Sequence, residues 1–289
     1  MSRIPIALLW LLHGLPAPLL AALGDALGAL AYVLVGERRR VALVNLAKCF
    51  PDLSPAARAR LARTHFRAVA RAVIDHAWLW WSPRRRIERL VRVEGLEHLR
   101  ARLGRPLILF VPHFVGLDAA AVRLSCEGDS VSMYARQKDR WLSEALRRGR
   151  TRFGDQRLVS RQEGVRPLLH GIRQGRPLYY LPDQDYGRRH AVFVPFFGVA
   201  AATVPGLSRI ARLTGAQVMP VVPRMLPRGA GYVVRIDPPW QDFPTDDSLA
   251  DTRRMNAYIE RRILEMPEQY NWMHKRFKTR PPGEAGFYA

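Results

Sequence analysis

Residues 107–118 read Leu107-Ile-Leu-Phe-Val-Pro-His113-Phe-Val-Gly-Leu-Asp118: five apolar residues, a proline, a histidine and, past Gly116, a helix start. An unbroken apolar run this short fits a strand buried on both faces, as in parallel sheets. Ligands of open α/β sheets collect at the carboxyl ends of such strands, and His113 stands at one. Asp118 lies five residues on, about one helical turn past the strand exit. Its carboxylate is therefore expected to bond one imidazole nitrogen and leave the other to a substrate, as a general base with its orienter. Spacing alone is weak support, because 8 histidines and 25 acidic residues in 289 give about 0.7 chance pairs. The strand before His113 and the helix after it carry the reading.

Short apolar runs alternate with helical stretches on the C-terminal side. Strand-like segments at 130–135, 177–181, 217–222 and 232–236 are interleaved with helical ones at 141–150, 165–172, 203–213 and 248–266. The expected fold class is α/β, a mixed, largely parallel central sheet flanked by helices. On the N-terminal side, Ser54-Pro55 supplies an N-cap and a proline at the first helical position for a helix over 54–81. That helix ends in Trp78, Trp80 and Trp81 before Pro83-Arg84-Arg85-Arg86, a pattern that suits a membrane interface or core packing. Residues 4–35 are almost wholly apolar and are closed by Glu37-Arg38-Arg39-Arg40. A spanning helix needs about 20 apolar residues, so 1–40 is read as an N-terminal membrane anchor, spanning or interfacial, with a buried core helix pair as the alternative, and 41–289 as the catalytic domain. Arg3 makes a poor n-region for a cleaved signal, and the arginine cluster marks the cytoplasmic side.

The formal charge of +21, from 46 basic against 25 acidic residues, predicts an anionic partner. Forty-two of the basic residues are arginines, the better bidentate phosphate ligands. Cys49 and Cys126 have no second cysteine or histidine at ligand spacing, which excludes a disulfide framework and a zinc site. Three further stretches carry chemistry. Tyr134-Ala-Arg136-Gln-Lys138 and the helix ending in Arg150 could hold an oxyanion or a phosphate. Asp183, Gln184 and Asp185 follow another strand exit and read as site structure without a metal. The segment 270–281 sets Lys275, Arg276, Lys278 and Arg280 among aromatic residues, as a surface for membrane, glycolipid or nucleic-acid phosphates.

Taken together, His113-Phe-x3-Asp118, Pro182-Asp-Gln-Asp-Tyr-Gly187, Val192-Phe-Val-Pro-Phe-Phe-Gly198 with Ala202-Thr203, and His274-Lys-Arg-Phe-Lys-Thr-Arg-Pro281 resemble the late acyltransferases of lipid A biosynthesis. Asn45-Leu, Cys49-Phe-Pro51 and the N-terminal anchor extend the likeness over nearly the whole chain. The resemblance implies an acyl carrier protein thioester as donor, bringing its own phosphopantetheine arm, and no resident cofactor. It implies a hydroxyl of a phosphorylated lipid A precursor as acceptor, at the cytoplasmic face of the bacterial inner membrane. It makes His113, Asp118 and Arg150 catalytic and matches Arg136 and Asp183 to further site positions; these two, with Lys138, Gln184 and Asp185 beside them, are expected to bind substrate. Many members carry Glu at the position of Asp118 and His at that of Gln184. The same chemistry would serve an acyltransferase acting on glycerol phosphate. A basic membrane- or nucleic-acid-binding protein is the reading of a different class, and no zinc, basic-zipper or RNA-binding signature supports nucleic acid.

Overall fold

The computed structural model describes residues 3–134 and 139–288. In chain order its elements begin with α1 (Arg3–Leu12), α2 (Ala17–Leu34), α3 (Gly36–Cys49), α4 (Pro55–Leu79) and α5 (Arg84–Leu90). There follow β1 (Val91–Glu94), α6 (Leu96–Arg100), β2 (Leu107–Phe110), α7 (Leu117–Leu124), β3 (Ser130–Tyr134), α8 (Arg140–Arg150) and β4 (Gln156–Ser160). The chain continues through α9 (Arg166–Arg173), β5 (Leu178–Tyr180), β6 (Val192–Phe196), β7 (Val199–Thr203), α10 (Gly206–Thr214), β8 (Gln217–Met225), β9 (Tyr232–Ile236) and α11 (Ser248–Glu265).

Seven strands form one sheet in the order β1-β9-β8-β2-β5-β3-β4, parallel throughout except where β8 meets β9; β6 and β7 make a separate antiparallel hairpin. This is the mixed, largely parallel sheet the pattern predicted. Central β2 is buried at every position, and its alternation divides the core. Ile108 and Phe110 pack with residues of α9, α10 and α11 on one face. Leu107, Leu109 and Val111 pack with α7 and the end of α4 on the other. Strands β1 and β4 escaped the sequence reading, because each is short and interrupted by charged or polar residues. Ser54 caps α4 as expected, its hydroxyl accepting from the Ala57 amide at 3.2 Å.

The three tryptophans are not an interfacial belt. Trp78 and Trp80 are buried in the core, with the Trp78 indole donating to Asp75 at 2.9 Å, and only Trp81 is half-exposed. Burying two large rings under the sheet outweighs leaving them at a headgroup boundary.

Among the described residues one helix, α2, is long and apolar enough to cross a membrane. It is also docked along α4. A Cβ at Gly24 would come within 2.7 Å of the Arg71 Cα, and one at Gly28 within 2.4 Å of the Arg67 Cα, so the two helices touch backbone to backbone. Leu20 is fully buried in the contact, whereas Leu19, Leu27, Leu30 and Leu34 form an exposed apolar face. Gly28→Leu should therefore overpack the α2–α4 contact and destabilise the protein by about 1–3 kcal/mol or more. Gly36→Ala, at a site whose Cβ meets only open space, should leave the thermal midpoint in detergent nearly unchanged. Equal midpoints for the two variants would contradict the close helix contact.

Candidate active site

Strands β2 and β5 lie side by side with Phe110 opposite Tyr180. Three residues beyond each partner come His113 and Asp183, so the parallel register carries both to the same level past the sheet edge. The Asp183 carboxylate accepts from the His113 backbone N–H at 2.9 Å and holds Nδ1 at 2.6 Å. Burial alone would raise the Asp183 pKa, but the contact with His113 outweighs it and holds the carboxyl below its usual range. An ionised carboxylate only accepts, so Nδ1 carries a proton, and in the neutral imidazole the lone pair is the one on Nε2. The loop is pinned from behind as well: Asn271 N–H donates to the His113 carbonyl at 3.0 Å, and Phe114 bridges to Tyr270.

Asp118 does not orient His113. Its carboxylate, in the first turn of α7, accepts from Arg150 Nε at 2.8 Å and Nη2 at 2.7 Å, and lies 3.3 Å from His76 Nε2. Burial acts to raise its pKa, yet the Arg150 guanidinium and His76 overcome that and hold it well below the carboxylate range. The expected His113–Asp118 pairing is thus replaced by two separate pairs, because the neighbouring strand offers a carboxylate closer than the helix does. His76, at the end of α4, carried no signal in the sequence, being 42 residues from its partner. Gly149 explains how Arg150 arrives. A Cβ there would lie 2.2 Å from the Trp80 ring, so only glycine lets the end of α8 rest on Trp80, which in turn packs edge-on against His76.

His113, Asp118 and Arg150 line one cavity of about 860 Å³ whose other walls are mainly leucine, isoleucine, valine and tyrosine side chains. It begins at the carboxyl ends of β2, β3 and β5, where the sheet topology places ligands.

A profile of the bacterial lipid A biosynthesis acyltransferase family matches residues 3–279. The chain belongs to that family. It is 36% identical over 287 residues to the lipid A biosynthesis lauroyltransferase of Escherichia coli (strain K12), covering 98% of this chain and 93% of that one. The palmitoleoyltransferase of the same organism is 33% identical over 286 residues, with 98% and 92% covered. The myristoyltransferase is 34% identical over 270 residues, with 92% and 82% covered. A solved 1-acyl-sn-glycerophosphate acyltransferase from Thermotoga maritima shares 16% identity at a TM-score of 0.40, covering 86% of this chain and 96% of that one.

In this lipid A biosynthesis acyltransferase family member the remaining expected site residues separate. Gln184 lines the cavity. Asp185 is instead a buried staple: it accepts from Thr279 N–H at 2.6 Å, the Thr279 hydroxyl at 2.9 Å and Gly187 N–H at 2.8 Å. Its own N–H donates to His274 Nε2 at 3.1 Å, and burial pushes that imidazole down to about 4, so it stays a neutral acceptor. Arg136 and Lys138 lie outside the described residues. Of the four cations of the basic tail, Lys278 is exposed and Lys275 half-buried, while the two arginines turn inward. Arg276 is buried, donating to Ala202 O at 2.9 Å and Thr203 Oγ1 at 2.7 Å, and Arg280 turns in to the Ala200 carbonyl and Glu284. Asn45 joins this strap, donating to the carbonyls of Trp272 and His274 at 2.7 and 2.8 Å.

The Asp118 carboxyl titrates lower in the folded than in the unfolded chain. Its ion pair therefore stabilises the fold above the ordinary carboxylate range, and the contribution fades as pH falls. Asp118→Asn should cost about 2 kcal/mol at neutral pH. The gap in unfolding free energy from wild type should narrow below about pH 4. A gap that stays constant from neutral to acid pH would show that Asp118 acts through packing and not through charge.

Proposed function

We propose that the protein transfers a fatty acyl chain from an acyl carrier protein thioester to a hydroxyl of a lipid A precursor, with His113 as general base. Family membership supports acyl transfer in lipopolysaccharide biosynthesis. The observation that carries the mechanism is the geometry of His113: Nδ1 is committed to buried Asp183, and the ring lines a largely apolar cavity of about 860 Å³.

In this reading His113 Nε2 takes the acceptor hydroxyl's proton as the oxygen attacks the thioester carbonyl. The tetrahedral intermediate collapses by breaking the C–S bond, and the imidazolium returns its proton to the departing thiolate. Asp183 stabilises the transient imidazolium across 2.6 Å. Arg150, held by Asp118, supplies positive charge to the same cavity for the oxyanion or an acceptor phosphate. Neither cysteine serves as a nucleophile: both are buried, and burial raises the pKa of each. The thioester brings its own activation, so no resident cofactor is required. The +21 charge steers an acidic carrier protein and a phosphorylated lipid to the site. The exposed leucine face of α2 sits against the inner membrane, with the cavity on its cytoplasmic side.

General-base assistance contributes about a hundred- to ten-thousandfold. His113→Ala and Asp183→Asn should both lower turnover by that order, and Asp183→Asn more than Asp118→Asn, since only Asp183 sets the tautomer. Equal losses in the two aspartate variants would sink the assignment of the orienting residue. Mass spectrometry of lipid A from cells with and without the gene checks the acceptor. The expected difference is the mass of one acyl chain, and an unchanged profile would count against a lipid A precursor.

A further inference from the structure

A helix that crosses a bilayer leaves its two ends on opposite faces of the membrane, yet α2 is tied at both ends to the same globular body. Just before it, the Arg86 guanidinium donates to the carbonyls of His13 and Leu15, both at 2.9 Å. At its first turn the Ala17 carbonyl lies so close to Gly229, in the turn between β8 and β9, that a Cβ there would collide with it. In its last turn the Tyr32 ring packs edge-on against Phe66 of α4, centroids 5.4 Å apart, and Arg39 of α3 donates to the Tyr32 carbonyl at 2.9 Å. Between the ends, Gly24 and Gly28 press α2 onto the backbone of Arg71 and Arg67. These glycines straddle the middle of the 18-residue helix. A crossing by α2 would therefore carry Arg67 and Arg71 to the bilayer centre, where charged side chains are strongly disfavoured.

We propose that α2 lies in the plane of the membrane surface and enters only the leaflet nearest the catalytic body, with Arg60, Arg63 and Arg67 holding phosphates of anionic phospholipids beside it. The proposal rests on the membrane contact assigned above to the leucine face. Leu19, Leu27, Leu30 and Leu34 turn away from α4 and are exposed, while the one charged residue of α2, Asp25, is half-buried. In α1, Ile4, Leu8 and Leu11 recur at helical spacing and are exposed as well. The apolar surface for the acyl region is therefore one helix face deep, as in helices that lie in an interface. Arg60, Arg63 and Arg67 follow one another at three and four residues on α4, so they share a face. All three are exposed, and among the described residues none of them forms an ion pair. Since α4 sits behind α2 as seen from the leucine face, these side chains reach the headgroup level while α2 sits deeper. Arg63 shows the arrangement: its guanidinium lies over the Tyr32 ring, 5.4 Å from the centroid. A long basic side chain covers apolar surface with its stem and keeps its charge in the polar layer. Phosphates of that layer then meet guanidinium groups that no carboxylate occupies.

Gly14 and Gly36 bracket α2, and a Cβ at either meets open space. Cys49 and Cys126 are buried, so a cysteine placed at one of these glycines reports on that position. In inside-out inner-membrane vesicles a membrane-impermeant maleimide should label Gly14→Cys and Gly36→Cys alike, and in intact spheroplasts it should label neither. Labelling of Gly14→Cys from the face opposite Gly36→Cys, or from neither face, overturns the in-plane helix. Flotation of the purified protein with phosphatidylcholine vesicles, with and without phosphatidylglycerol, reads the arginines. Each basic side chain near an anionic surface is worth about fivefold in partition, so the triple variant Arg60→Gln, Arg63→Gln, Arg67→Gln should bind the anionic vesicles ~100-fold less tightly. Its binding to phosphatidylcholine alone should match wild type. A triple variant that partitions as wild type, or loses as much on phosphatidylcholine alone, overturns the phosphate contact. A wild-type protein that floats with neither kind of vesicle overturns the membrane reading itself, and this proposal with it.

Discussion

His113 and Asp183 meet because two parallel strands leave the sheet in register, and much of the site follows from that constraint. A carboxylate buried beside an imidazole is costly unless the pair is well bonded. Here Asp183 receives both the backbone N–H and Nδ1 of the same residue. The pair in turn explains the C-terminal strap. Asn271 and Tyr270 brace the histidine loop, while Asp185, two residues past Asp183, anchors the strap at Thr279. Residues far apart in the chain that look like separate motifs form one brace behind one imidazole.

The second charged pair works on a different problem. Asp118 holds Arg150 on the cavity wall, with His76 and Trp80 behind them and Gly149 permitting the approach. A guanidinium held by a carboxylate is pre-oriented, and orientation is what an oxyanion or phosphate ligand needs. The two pairs thus come from two strand exits and two helix ends, each positioned independently of the other.

The N-terminal segment joins the same body. Helix α2 carries enough apolar length for a span, yet its glycines press one face against α4 and leave a leucine face outward. Hydrophobicity alone does not separate a free anchor from a docked helix with an unpartnered side. The small residues at 24 and 28 show the contact only once their neighbours are known.

Local sequence was enough for the strand, the histidine and the following helix at 107–118, for the alternating α/β rhythm, and for the cap at Ser54. Those features depend on side-chain period and backbone preference within a few residues. Combined blocks also sufficed for the family, since their coincidence over the whole chain is far more specific than any one spacing. Strand order was not legible, because β2 meets β5 only after five intervening helices and strands, and no local period records which strand a neighbour will be. The partner of His113 was therefore misread as Asp118, the inward turn of Arg276 and Arg280 was missed, and the choice between interface and core for Trp78 and Trp80 stayed open. Hydrogen bonds and burial between distant segments depend on distance in space, and only the tertiary structure supplies that distance.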